Sequence, residues 1–138
     1  MGADEIAAIR PAIAELEADL EEHGVPARFF ARFSLSNQET PWIEVVIEDK
    51  TTINLSYPFA DEPLQLLQRS AVECPPGLKV TDRSPNAITF AFARSHTRAV
   101  ARFIDALFTR VLGCGQEYSV DVSFLRFPPP TPRLSRRS

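Results

Sequence analysis

The sequence predicts an α+β fold: an antiparallel sheet with helices on one face, in the order α-β-β-β-α-β-β-α-β. Three observations carry this expectation. Short segments alternate apolar and polar residues with period two. The links within strand pairs are of hairpin length, which implies antiparallel neighbours. Periodicity near 3.6 is confined to three other segments, which places helices beside the sheet rather than between parallel strands.

The first helix is marked by Ile6, Ile9, Ile13, Leu16 and Leu20, one narrow apolar stripe. Asp4 is its expected N-cap, and His23-Gly24 followed by Pro26 is its stop. Pro11 falls inside it and should kink it, because proline cannot donate to the Ala7 carbonyl. The spacing fits a coiled-coil seam or a helix lying on a sheet. A pattern of barely two heptads favours the sheet.

Residues 27–35 place Ala27, Phe29, Ala31, Phe33 and Leu35 on one side of a strand. Residues 42–48 do the same with Ile43, Val45 and Ile47, and residues 51–57 with Ile53, Leu55 and Tyr57. Facing the apolar sets together restricts the register. The first hairpin then sets Arg32 opposite Glu44, Arg28 opposite Glu48 and Phe30 opposite Val46, and the second sets Asn54 beside Glu44. Opposite charges across strands support that register by a few tenths to about 1 kcal/mol per pair.

A short helix follows, with Asp61 as cap, Pro63 in its first turn and Leu64, Leu67 and Ala71 on one face; Cys74-Pro75-Pro76-Gly77 ends it. Strands are expected at 78–82 and 87–93, the second with Ile88, Phe90 and Phe92 inward and only small residues outward. The best-defined helix is 97–112, where Val100, Phe103, Ile104, Leu107, Phe108, Val111 and Leu112 recur at helical spacing. A last strand covers 118–125, with Tyr118, Val120, Val122 and Phe124 against Ser119, Asp121 and Ser123.

These elements make one domain over residues 1–127. Residues 128–138 contain Pro128, Pro129, Pro130 and Pro132 with Arg133, Arg136 and Arg137, and read as an extended or disordered tail. Removing the tail's three positive charges from the net −3 leaves −6 on the body. An acidic body argues against a nucleic-acid partner, which calls for a basic face. Cys74 and Cys114 lack metal or redox spacing and read as partly buried thiols in a reducing compartment. The acidic N-terminus is not a signal peptide, and no apolar run approaches a membrane span. The expected location is the cytoplasm.

No residue is singled out as catalytic. The serines sit in no nucleophile elbow, no Gly-rich loop joins a strand to a helix, and no His/Cys/Asp set has metal spacing, so neither cofactor nor metal is expected. Glu44 and Glu48 share a face with Arg28 and Arg32, which would keep both carboxylates ionised and unfit as general acids. One charged cluster remains. Arg94, His96, Arg98 and Arg102 crowd the start of the long helix, where positive charge opposes the dipole, and offer an alternative anion or small-molecule site. The main expectation is a docking surface. Phe30, Trp42 and Val46 lie on the face opposite the core and would bind another protein, or be covered by a loop or the tail.

The N-terminal Ile/Leu helix, the strands at 42–48 and 51–57 and the helix at 97–112 resemble, in order and size, the class I type III secretion chaperones and their bacterial chaperone-like relatives. The resemblance covers about residues 4–112. It implies a non-enzymatic homodimer that binds a client protein through apolar patches. The strand at 118–125 and the basic tail depart from that pattern.

Overall fold

A computed structural model of the chain describes residues 3–24, 27, 29–35, 41–57, 62–94, 97–113 and 120–126, with side chains from Ile9 onward. Its elements are α1 (Ala3–His23), β1 (Phe29–Leu35), β2 (Trp42–Ile47), β3 (Lys50–Ser56), α2 (Pro63–Arg69), β4 (Lys79–Ser84), β5 (Ala87–Ala93), α3 (Thr97–Ala106) and β6 (Val120–Arg126). A π-helical turn, Leu107–Val111, continues α3.

The strands form one antiparallel sheet in the order β4-β5-β3-β2-β1-β6. Period-two alternation settles its two faces. Ala31, Phe33, Ile43, Val45, Ile53, Leu55, Ile88, Phe90 and Phe92 are each at most 1% exposed and all share one face. The helices bury that face. α1 packs across β1, β2 and β6 through Ile9, Ile13, Leu16 and Leu20. α3 packs beside α1 and sets Phe103 edge-on to Phe90 and Phe92, with ring centroids 6.2 and 5.8 Å apart. Fully burying a side chain such as Phe103 contributes roughly 1.5–3 kcal/mol.

Two of the expected pairs are present, while the β1–β2 pairing ends at Ala31–Val45, one step short of Phe30 and Val46. Arg32 pairs with Glu44, and Glu44 with Asn54. Arg28 lies outside the described residues, while Glu48 accepts a hydrogen bond from the Ala27 amide at 2.7 Å. Several boundaries differ. α1 begins at Ala3, so Asp4 is inside the helix rather than its cap, and the helix continues through Pro11. Gly24, at φ 72°, closes α1 by donating to the Leu20 carbonyl at 2.6 Å.

α2 is capped by Glu62, whose carboxylate accepts from the Leu64 and Gln65 amides at 3.0 and 3.2 Å; Asp61 lies outside the described residues. Its buried side chains are Pro63 and Leu67, whereas Leu64, expected inward, is 41% exposed. The helix ends at Arg69, so Ala71 does not join its apolar face. Ala71 instead takes a left-handed conformation, φ 57°. Its amide donates to Gln68 and that of Val72 to Leu67, a complete Schellman stop with alanine where glycine is usual.

The long helix departs from expectation near its end. Leu112 donates five residues back to Leu107 at 2.8 Å, and the Thr109 hydroxyl donates to the Asp105 carbonyl at 2.9 Å. A single wide turn preserves the apolar face that burial requires, so periodicity alone does not reveal it.

Two stability outcomes follow. Ala71→Gly relieves the left-handed strain and, after the entropy glycine adds to the unfolded chain, raises stability by roughly 0.5–1 kcal/mol in urea or thermal melts. Phe103→Ala opens the α3–β5 contact and lowers it by about 3–5 kcal/mol.

Candidate functional site

The second face of the sheet has no described helix over it. Its side chains come from the other parity of each strand: Phe30, Arg32 and Ser34; Trp42, Glu44 and Val46; Thr52, Asn54 and Ser56; Ala87, Thr89 and Ala91. On β6 the same parity holds Asp121, Ser123 and Leu125.

The registers arrange these residues in rows across the strands. The middle row is polar: Asp82, Thr89, Asn54, Glu44, Arg32 and Ser123. The Thr89 hydroxyl donates to Asn54 Oδ1 at 2.6 Å. Arg32 Nε lies 3.0 Å from Glu44 Oε2 yet makes no directed hydrogen bond, so that contact is an ion pair. The Arg32 guanidinium also sits 5.1 Å from the centre of the Trp42 ring, a cation–π contact.

On one side of this polar row lies an apolar one. Phe30 pairs with Leu125 across β1 and β6, and the β1–β2 register carried one residue beyond Ala31–Val45 sets Phe30 beside Val46. Trp42 lies on the other side. Four residues along β2 separate it from Val46, roughly 13 Å in an extended strand. Its amide is held by Ser56 Oγ at 3.0 Å. The structure thus groups Phe30 and Val46 with Leu125, and puts Trp42 beyond the Arg32–Glu44 pair. Leu125, 37% exposed, joins the surface only because β6 pairs with β1, a long-range contact that no local pattern announces.

The arginine cluster is dispersed. Arg94 Nη2 lies 3.6 Å from Glu17 Oε2, and the Thr97 hydroxyl donates to Glu17 Oε1. A carboxylate from α1 thereby offsets the positive charge at the start of α3. Arg98 and Arg102 are exposed, and His96 lies outside the described residues. Arg102 lines a groove of about 620 Å³ between α3 and the 71–76 segment, together with Glu73, Cys74, Asp105 and Arg110. Two arginines and two carboxylates on its wall leave little net field for an anion. Arg110 also donates to the Ser70 and Ala71 carbonyls at 3.4 and 3.0 Å, which serves the end of α2.

The chain matches no family model, no curated protein and no solved structure. Its candidate surface therefore rests on its own residues.

Among the described residues, no three of the His, Cys, Asp or Glu side chains gather as a metal site, and no helix is long and apolar enough to cross a membrane. Cys74 is a free cysteine, exposed as a residue but with its thiol partly buried, and Cys114 lies outside the described residues. The Cys74 thiol still lies 3.6 Å from the Val72 carbonyl, and burial pushes its pKa up from the ordinary thiol value. A raised pKa leaves less thiolate at neutral pH. Cys74 is accordingly expected to react with a thiol-specific disulfide reagent more slowly than a cysteine in a denatured sample at pH 7, with the gap closing as pH rises. Equal rates at pH 7 would contradict this.

Proposed function

We propose that the chain is a non-enzymatic protein-binding module, chaperone-like or an adaptor or inhibitor, that works in the cytoplasm and takes another protein on the uncovered sheet face. The observation that carries this reading is the apolar row Val46–Phe30–Leu125 on a face that no described helix covers. Half-buried Phe30 and Val46 beside exposed Leu125 on a rigid sheet make an apolar patch of the kind that docks a partner. The polar row beside them, with Arg32 and Glu44 already paired, supplies register more than affinity. The element order agrees with the resemblance to class I type III secretion chaperones, which supports a client-binding role.

The test is binding by native and altered chains. A protein captured specifically from the native host should bind at least about tenfold more weakly to the Phe30→Ala, Val46→Ala double variant, whose circular dichroism stays native. Undiminished binding by that variant, or a folded native chain that retains no partner at high concentration, would overturn the proposal.

The alternative, an anion or small-molecule site at Arg94, His96, Arg98 and Arg102, has weaker support, because Glu17 engages Arg94 and carboxylates share the groove wall with Arg102. It predicts a thermal upshift with phosphate or dicarboxylates that Arg98→Ala abolishes. A flat response across such ligands would exclude it.

A further inference from the structure

The two edges of the sheet are built differently. At one edge, β4 carries an irregularity between Val80 and Asp82, with Lys79, Asp82 and Arg83 along it. Bulges and charges of this kind keep an edge from pairing with another chain. At the other edge, β6 reads Val-Asp-Val-Ser-Phe-Leu-Arg, with no proline and an unbroken seven-residue register to β1. Among the described residues nothing pairs with its far side. Each face of β6 carries one exposed large apolar side chain: Phe124, 47% exposed, on the helix-bearing face with Val120 and Val122, and Leu125, 37% exposed, on the other with Asp121 and Ser123. Apart from Leu64 on α2, these are the exposed large apolar side chains of the described residues.

We propose that β6 pairs with β6 of a second copy of this chain, joining two six-stranded sheets into one antiparallel sheet across a two-fold axis. Symmetry permits this without mixing faces. An axis normal to the sheet reverses the strand direction and keeps both helix layers on the same side. It pairs even-numbered residues with even and odd with odd, centred on Ser123 or Phe124. In the Ser123-centred register Val122 meets Phe124 of the second copy, and each covers the other's exposed surface. Although α1 packs against β6, 47% of Phe124 stays exposed, and among the described residues nothing occupies the space beside it.

The other candidate occupant is the segment that follows β6. Residues 128–132 include Pro128, Pro129, Pro130 and Pro132, which have no amide proton to give to a ladder. A second β6 supplies a full set of donors and acceptors. The inference stands apart from the docking of a foreign partner, since it uses the edge of the sheet and not its open face.

Sedimentation equilibrium on the full chain tests it, alongside hydrogen exchange of the β6 amides at low and high protein concentration. The expected results are a species of twice 15.4 kDa and protection of alternate β6 amides that grows with concentration. Phe124→Lys should weaken association by about tenfold or more, because a charge on an edge strand opposes pairing. A chain monomeric throughout, with those amides unprotected, overturns the proposal. So does a dimer that a folded Phe124→Lys variant leaves intact, or protection that is independent of concentration and lost when residues 127–138 are deleted. If Phe124→Lys does not fold, the exchange result on the native chain decides.

Discussion

Strict alternation along the two central strands, β2 and β3, is the constraint on which the rest depends. Ile43, Val45 and Ile47 face the same side as Ile53 and Leu55, and each is nearly or fully buried. A slip of one residue would turn these side chains into water and bring Glu44 and Asn54 into the core. Burying several large side chains, at roughly 1.5–3 kcal/mol each, outweighs the Arg32–Glu44 pair, which adds at most about 1 kcal/mol. The ion pair confirms the register that the apolar set imposes.

A one-sided core has structural consequences. The helices gather on the apolar face, and polar contacts hold them to each other and to the loops. Glu17 on α1 receives Arg94 and Thr97 at the start of α3. Arg110, near the end of the π turn, donates to the Ser70 and Ala71 carbonyls just past α2. The positive charge of Arg94 before α3 thus has a structural partner. Among the described residues, the second face and the β6 edge of the same sheet are the surfaces the core does not use.

The legible part of the fold was what short-range patterns encode. Strand parity gave the inward residues of β1, β2, β3 and β5, and charge complementarity identified Arg32 with Glu44. Positions decided by hydrogen bonding at helix ends were harder to read. Glu62 caps α2 with a longer side chain than caps usually have, and Ala71 adopts a conformation that nothing in its side chain favours. The pairing of β6 with β1 joins the last described element to the second, so Leu125 could not be placed beside Phe30 from local sequence. Parity places Trp42 on one face with Phe30 and Val46 but says nothing about distance along a strand.

The central claim is that one face of the sheet is buried and the other meets solvent. It is tested most directly by methyl NMR with a soluble paramagnetic probe. The account predicts strong broadening for the methyls of Val46, Thr52, Thr89 and Leu125 and little for Ile43, Val45, Ile53 and Ile88. Equal protection of the two groups would contradict it.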